Sequence, residues 1–457
     1  MMLPKVFESF VNGSPVSVML RAIMEHALPA PEIDQLFTDT AEQQYTRELL
    51  FSSLVDVMAE VVCRIRPSIH AGYQANPTKF GVSIRAVYDK LEHTEPGIAS
   101  ALVAHAAGKL APIIQRLGGG SPALLSAYRV RILDGNHLAG TQHRLKELRA
   151  LAAGALPGQT LAILDADTML VTDVLCCEDG HAQERALLPA VIPLIAERDA
   201  WIADRNFCTT EFWFALATRR AYGVIRHHAN LTWQAVGKRH YVGRSDTGRV
   251  YEQRGRIHDG SGNALELRRI TIALDAPTRD GDTEIHILTN LPARVRAKVI
   301  ARLYQKRWTI EIAFQELTVA LKCEVNTLAY PKAALFGFCV ALLAFNVLSV
   351  VKAALRAAHG AAKIEAILST YYLAEEVAGT YRGMMIAIPG KHWDVFATMA
   401  PPRLARVLEE LAAKVDLAKL MKHPRGPKKP KPRRQRDKRM THVATARVLA
   451  NRKSGSK

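Results

Sequence analysis

The chain has 457 residues, of which 49% are hydrophobic, and its formal net charge is +18. This length is too great for one ordinary domain core and predicts roughly two to four domains. The composition excludes a fibrous repeat and a largely disordered chain. No two of the six cysteines have CxxC spacing, so the sequence gives no sign of a zinc ribbon. Their scattered positions favour a reduced, intracellular protein.

Residues 1–117 are predicted to form a helical N-terminal domain. Apolar residues recur at helical spacing over residues 41–62, and a shorter helix is predicted over residues 83–91. The shorter helix could enter a DNA groove, or it could be an ordinary amphipathic helix. Residues 118–122, Gly-Gly-Gly-Ser-Pro, then indicate a linker.

Residues 118–228 are predicted to form the first part of a layered α/β core, because strands alternate with helices there. The predicted strands span residues 128–133, 160–164, 169–175 and 200–203, and the predicted helices span residues 182–195 and 210–221.

Residues 229–290 are predicted to form an all-β insertion. Alternating segments at 249–257 and 265–274 are separated by turns rich in glycine and aspartate. Residues 285–289, Ile-His-Ile-Leu-Thr, are expected to return the chain to the main sheet.

Residues 291–360 are predicted to complete the core, with a long helix from about Ala293 to Lys322. Residues 333–351 carry no charge, so they could span a bilayer or form a buried core helix. The core helix is favoured, because this is one isolated apolar stretch in a basic chain. A helical C-terminal region follows at 361–421, with an amphipathic helix over 402–420 that begins with proline.

Residues 422–457 form a basic tail with fourteen Lys or Arg residues and one acid, Asp437. Such a density of positive charge attracts polyanions, although a solvated arm that only aids solubility has the same composition. Proline and basic residues from His423 onward favour an extended, flexible arm, and a helix is expected to resume at residues 441–451.

Asp134 and Asp204 are candidate metal ligands, because each directly follows a predicted strand. Hard divalent cations prefer oxygen ligands, and strand ends hold side chains still. Either residue could instead form a turn or cap the next helix. Asp165 and Asp167 also follow a strand, and we interpret them as turn residues.

Glu311, Arg307 and Tyr304 lie on one face of the predicted long helix. At about 100° of rotation per residue, Arg307 and Tyr304 fall within about 40° of Glu311. A carboxylate, a guanidinium and a phenol suit a phosphate beside a metal ion. An exposed ion pair between Arg307 and Glu311 explains the same spacing.

Three segments resemble the motifs of bacterial insertion-sequence transposases of the DDE class. Residues 304–311, Tyr-Gln-Lys-Arg-Trp-Thr-Ile-Glu, match the Tyr-x2-Arg-x3-Glu signature of the insertion-sequence family numbered four. Residues 204–207, Asp-Arg-Asn-Phe, are similar to its second-Asp motif, and residues 133–136, Leu-Asp-Gly-Asn, resemble its first-Asp motif. The motifs stand in the family's order, and the resemblance covers residues 120–350.

The resemblance implies an α/β fold, with a ribonuclease-H-like catalytic core interrupted by an all-β insertion and flanked by helical regions. It implies that Asp134, Asp204 and Glu311 are the catalytic carboxylates and hold two Mg²⁺ ions, with Mn²⁺ as an alternative. Tyr304 and Arg307 would bind DNA phosphate. The implied reaction is DNA cleavage and strand transfer at the terminal inverted repeats of an insertion sequence, by two-metal-ion phosphoryl transfer.

The partners expected from the resemblance are double-stranded DNA, both the terminal repeats and the target, and a second copy of the chain in a dimer on DNA. No membrane is expected, and the expected location is the bacterial cytoplasm in association with the nucleoid. Two other functions stay open: a magnesium-dependent nuclease or resolvase of the same fold, and a DNA-binding derivative that has lost catalysis.

The sequence departs from the family signature at one position of the Glu311 helix. The family has lysine seven residues after the glutamate, and here that residue is Thr318. Lys322 would share the Glu311 face one turn later, so we expect it to make the missing phosphate contact. Asn136, where the family often has threonine or serine, is a milder departure. Trp233 in the insertion could stack on a DNA base or belong to the core.

Overall fold

The computed structural model describes residues 3–46, 48–278, 281–423 and 442–455. The strands are β1 (Arg129–His137), β2 (Gly154–Leu156), β3 (Gln159–Asp165), β4 (Leu170–Cys177), β5 (Asp199–Ala203), β6 (Tyr222–Arg226), β7 (Gln234–Ser245), β8 (Gly248–His258), β9 (Ala264–Leu274), β10 (Glu284–Thr289) and β11 (His442–Ala444).

Helices occupy both ends of the chain and flank these strands. They are α1 (Glu8–Gly13), α2 (Pro15–Ala27), α3 (Ala30–Thr40), α4 (Phe51–Val62), α5 (Ile69–Ala75), α6 (Ile84–His93), α7 (Pro96–Leu117), α8 (Leu188–Val191), α9 (Thr210–Thr218), α10 (Ala297–Gln305), α11 (Trp308–Ala320), α12 (Pro331–His359), α13 (Ala361–Ile367), α14 (Thr370–Ala387), α15 (Asp394–Ala397), α16 (Pro401–Ala412) and α17 (Thr445–Gly455). Short 3-10 turns lie at Lys5–Phe7, Pro77–Lys79, Glu184–Leu187, Ile192–Leu194, Arg205–Phe207, Gly390–His392 and Leu417–Leu420.

The fold is mixed α/β and centres on one nine-stranded sheet with the strand order β4-β3-β1-β5-β6-β10-β9-β8-β7. β1, β5 and β6 run parallel to one another, and every other neighbouring pair in this sheet is antiparallel. β7, β8 and β9 extend the sheet through β10, so residues 229–290 continue the central sheet and do not form a second one.

Apolar residues cover both faces of the central sheet, because its middle strands alternate two buried sets of side chains. Ile132 and Ile202 belong to the large core shared with α7 and α12, whereas Leu133 and Trp201 pack with α9 on the opposite face. All seven residues of β3 are buried. Burial on two faces explains the apolar runs at the centres of β3 and β5.

α12 is the longest helix and crosses the core, which agrees with the core-helix interpretation of its uncharged stretch. By length and composition α7 and α12 could each cross a membrane, but 94% of the most apolar window of α12 is buried inside the protein. Asn346 is fully buried on α12, and its side chain bonds both the N–H and the C=O of Val171 at 2.8 Å. The polar residue is thus satisfied by the edge strand β4.

Two predicted helices in the first half of the chain differ in the structure. The helix predicted over residues 41–62 begins only at Phe51, because the backbone N–H groups of residues 42–44 bond the carboxylate of Glu95 instead. Residues 182–195 form two 3-10 turns and the short α8 rather than one helix. Pro189 and Pro193 cannot donate the hydrogen bonds that a continuous helix needs.

The long helix predicted from Ala293 to Lys322 is wrong as one element, because the structure divides it into α10 and α11. Lys306 and Arg307 donate their N–H groups to residues three positions back, which tightens the chain into a turn. α11 then ends at Ala320. The next residues are extended, and the N–H of Lys322 bonds the carbonyl of Val62.

The chain beyond residue 441 returns to the protein body. β11 pairs in parallel with β2, and α17 follows it, where the sequence predicts a helix over residues 441–451. Val443 and Val448 pack against Leu145 and Leu148. The predicted extended arm falls on residues 424–441, which lie outside the described residues.

Candidate active site

The register of two parallel strands brings Asp134 and Asp204 to neighbouring positions. Leu133 of β1 pairs with Ala203 of β5, and the next residue on each strand is one of the two aspartates. The two aspartates are therefore neighbours on adjacent parallel strands in the interior of the sheet. The sequence spacing could not show that the two aspartates are close, because β3, β4 and α8 lie between them along the chain.

Asp134 lies inside β1, so the prediction that it directly follows the strand is wrong in detail. β1 continues to His137 because it pairs with β3 as far as Gln159. Asp204 does follow β5, and its Oδ1 accepts the N–H of Arg205 at 2.6 Å at the start of a 3-10 turn. Asp134 is consequently held by a strand, whereas Asp204 is held by a capped turn.

Arg307 connects the first aspartate to the glutamate of α11. Its Nη1 lies 3.2 Å from Asp134 Oδ2, and its Nη2 lies 2.7 Å from Glu311 Oε1. The side chains of Arg307 and Asp134 are 14% and 15% exposed, whereas that of Glu311 is 49% exposed. The ion pair offered as the alternative for Arg307 and Glu311 is thus present, and it extends to Asp134.

The break between α10 and α11 places Arg307 in this position. The turn at Lys306 and Arg307 joins α10, which carries Tyr304, to α11, which carries Glu311.

Burial raises the pKa of Tyr304 to about 12, and the nearby charge of Asp204 adds to the effect. Tyr304 therefore stays protonated at neutral pH and lies on the Asp204 side of the site.

Electrostatics in the site are dominated by crowded carboxylates in a buried place. Burial raises the pKa of Asp134 to about 7; Arg307 opposes the rise, whereas Glu311 and Glu184 contribute to it. Burial lowers the pKa of Arg307, but Tyr304 and the neighbouring carboxylates outweigh that effect and raise it overall. The guanidinium stays charged, and its charge compensates only part of the negative charge around it.

The donor set suits a hard divalent cation in kind, because Asp134, Asp204 and Glu311 offer carboxylate oxygens and Asp134 is buried with too little positive charge beside it. Among the described residues, no group of three or more His, Cys, Asp or Glu side chains stands close enough together to hold a metal ion. Arg307 occupies the space between two of the three carboxylates. The chemistry of the three carboxylates fits a divalent cation, provided that the Arg307 guanidinium moves away from Asp134 and Glu311.

Thr318 lies on α11 with Glu311, as the helical spacing predicts, whereas Lys322 does not. Thr318 is exposed on α11, and its hydroxyl donates to the carbonyl of Phe314 at 3.0 Å. Lys322 lies beyond the end of α11, so the rotation that placed it on the Glu311 face does not apply. Its Nζ donates to the carbonyl of Pro67 at 2.7 Å.

The other sequence candidates take structural roles. Asp165 caps the turn after β3 and pairs with Arg129 at 3.0 Å, as expected for a turn residue. Glu316, on the same helix as Glu311, was not a candidate, and it pairs with Lys352 at 2.7 Å. Trp233 packs against the core, with the guanidinium of Arg269 5.3 Å from its ring.

Sequence reasoning missed two charged residues beside the aspartates. Ala203 pairs with Ile225 of β6, so Arg226 takes the place next to Asp204 in the row across the sheet. Glu184 accepts a hydrogen bond from Asn206 and lies against Gly135. Arg226 was missed because no strand was predicted at residues 222–226, where the structure has β6. Glu184 gave no signal, because it stands in a region predicted to be a regular helix.

Residues 126–347 match the family model described as "Transposase DDE domain". The curated protein "Putative transposase y4zB" of Sinorhizobium fredii (strain NBRC 101917 / NGR234) is 32% identical over 126 residues, which are 27% of this chain and 34% of that protein. The matched segment thus spans about a third of the relative's length. The resemblance to DDE-type transposases is confirmed over residues 126–347, the segment that matches this family model.

Proposed function

We propose that this protein is a transposase that cleaves and joins DNA at the terminal inverted repeats of an insertion sequence. The observation that carries the proposal is the pairing of Leu133 with Ala203, which sets Asp134 beside Asp204 within a transposase DDE domain. The contact of Arg307 with both Asp134 and Glu311 supports the third member of the set.

The strand order supports a ribonuclease-H-like core. β4, β3 and β1 are antiparallel neighbours, and β5 and β6 continue the sheet parallel to β1. β7 to β9 then enter between β6 and α10, which suits an all-β insertion ahead of the helix that carries the glutamate. On this proposal residues 118–228 and 291–360 form the core and residues 229–290 form the insertion.

Asp134, Asp204 and Glu311 would hold two Mg²⁺ ions, with Mn²⁺ as an alternative. When bound, the two ions would activate the attacking oxygen and stabilise the leaving oxygen of a phosphodiester. Arg307 would exchange its bonds with the carboxylates for a fork onto the phosphate, and Tyr304 would donate its hydroxyl proton there. Lys322, with one ammonium proton on Pro67, would keep two donors for a DNA phosphate.

The remaining parts of the chain would bring DNA to this site. Residues 1–117 would bind the terminal repeats, and residues 422–457 would add electrostatic attraction for the DNA backbone. Residues 361–421 would form a helical C-terminal region. Pairing of two element ends in one complex calls for a dimer on DNA. The protein would act in the bacterial cytoplasm on nucleoid DNA, without a membrane partner.

The test incubates the purified chain with Mg²⁺ and DNA that carries the element's own ends and flanks. We expect nicked or cut ends and products joined to target DNA, and we expect Asp204→Asn to abolish both. Asp246→Asn is the matched control, because Asp246 is exposed in the turn between β7 and β8. Equal cutting by wild type and Asp204→Asn would refute the assigned site.

The same incubation separates the two other functions that the sequence leaves open. Cutting without joined products would identify a magnesium-dependent nuclease or resolvase. Binding of the ends without any cutting, under both Mg²⁺ and Mn²⁺, would identify a derivative that has lost catalysis. Either result would overturn the proposed strand transfer.

A further inference from the structure

Glu184 stands between the two segments that carry the aspartates. Its Oε2 accepts a hydrogen bond from Asn206 Nδ2 at 3.3 Å, in the turn that follows Asp204. Its Oε1 lies 3.9 Å from His137 Nε2, at the end of β1. The Glu184 side chain is 20% exposed, so most of its surface is covered by neighbouring residues.

Gly135 provides the space that the Glu184 carboxylate occupies. A methyl group on Gly135 would lie 2.1 Å from Oε1 and 2.4 Å from Cδ of Glu184, closer than van der Waals contact permits. Gly135 directly follows Asp134 in β1. The absence of a side chain at Gly135 therefore allows a carboxylate from another segment to rest on the strand beside Asp134.

The segment that carries Glu184 is itself fixed to the central sheet. Gln159, a buried residue of β3, donates its side-chain amide to the carbonyl of Ala182 at 2.6 Å. Glu184 begins a 3-10 turn two residues later. Because β3 also pairs with β1, Glu184 contacts the β1 strand and the Asp204 turn from a base that is anchored to the same sheet.

We propose that Glu184 is a positioning residue, which holds the Asn206 turn against β1 and so fixes the separation of Asp134 and Asp204. Glu184 acts through Asn206 and Gly135 and does not contact DNA. The proposal rests on the proposed function for the reaction that it serves. Residues that orient the ligands of a metal typically change metal affinity or activity by about 10-fold to 100-fold when they are removed.

The test compares Glu184→Ala, Glu184→Gln and the control Glu211→Ala, which removes an exposed carboxylate from α9. We expect Glu184→Ala to need about tenfold more Mg²⁺ for half-maximal cleavage. Glu184→Gln keeps an oxygen for Asn206 and should stay near wild type, as should the control. DNA affinity without metal should be equal in all four proteins. An unchanged Mg²⁺ requirement in Glu184→Ala would overturn the proposal.

A second pair of variants tests the contact with Gly135. Gly135→Ala forces a methyl group against the Glu184 carboxylate and should raise the Mg²⁺ requirement. Adding Glu184→Ala removes the obstructing carboxylate, so the double variant should be no worse than Gly135→Ala alone. Independent, additive losses would show that the two residues do not act together and would contradict the proposal.

A direct binding measurement separates this proposal from the proposed function. Mg²⁺ or Mn²⁺ should raise the melting temperature of wild type at lower concentrations than it raises that of Glu184→Ala. If wild type fails to cut DNA but this difference is found, the proposed function falls and the role of Glu184 stands. If wild type cuts DNA and the two melting curves respond equally to metal, the role of Glu184 falls alone.

Discussion

Replacing Asp134 by asparagine should stabilise the fold at alkaline pH, although it removes a proposed metal ligand. A carboxyl group whose pKa rises from its ordinary 3.8 to about 7 is harder to ionise in the folded protein. The difference corresponds to about 4 kcal/mol. Asparagine carries no charge to desolvate and keeps an oxygen for Arg307, so we expect a net gain of about 1–3 kcal/mol at pH 8.

The gain should depend on pH in one direction. Between about pH 4 and pH 7 the folded protein keeps the Asp134 proton, whereas the unfolded chain has already lost it. Wild-type stability therefore falls as the pH rises through this window, and the full cost is present above about pH 7. Asparagine has no proton to lose in this range. The gain in stability of Asp134→Asn over wild type should therefore be largest at pH 8 and absent near pH 4.

The assay is thermal unfolding of wild type, Asp134→Asn and the control Asp246→Asn, at intervals from pH 4 to pH 8, with a chelator present. The melting temperature of Asp134→Asn should rise above that of wild type as the pH increases. The control should follow wild type throughout, because Asp246 is exposed. A difference between wild type and Asp134→Asn that is constant over this range would refute the reasoning about desolvation.

Three more outcomes follow from the same contacts. Arg307→Ala leaves Asp134 and Glu311 without their shared guanidinium; it should destabilise the fold by about 2–4 kcal/mol at pH 8 and less at pH 5 in thermal unfolding. Asn346→Leu leaves the N–H and C=O of Val171 without their side-chain partners. It should lower the free energy of unfolding, measured in urea, by about 2–4 kcal/mol. An unchanged urea midpoint would contradict this. Mg²⁺ should raise the melting temperature more at pH 8 than at pH 6, because Asp134 must lose its proton to bind it; equal shifts would contradict the assignment.

Local sequence patterns predicted β1, β3, β4 and β5 to within a few residues, because apolar side chains are frequent in them, but they did not predict the central strand β6. The strand before Asp204 was predicted to within one residue, and the uncharged stretch of α12 was correctly interpreted as a core helix. The same patterns misplaced the end of β1. The polar residues after Leu133 look like a turn, but pairing with β3 keeps them extended.

Tertiary contacts explain why the long helix predicted over residues 293–322 is divided and why it ends early. Nothing in residues 293–322 breaks a helix by composition, yet the chain turns at Arg307, where the guanidinium meets Asp134 from a distant strand. The end of α11 depends equally on a distant partner, because the N–H of Lys322 bonds Val62. A helical rotation computed from spacing alone cannot include such contacts, and it therefore placed Lys322 on a face that it does not share.

The position of Arg307 suggests that cation binding and DNA binding are linked in this protein. The guanidinium that would bind the phosphate is also the group that holds Asp134 and Glu311. A divalent cation between those carboxylates would compensate their charge and free Arg307, so each ligand should raise the affinity for the other. DNA affinity should therefore increase in Ca²⁺, which binds carboxylate oxygens, and the increase should be smaller in Arg307→Ala. An equal increase in both proteins would mean that Arg307 does not couple the two events.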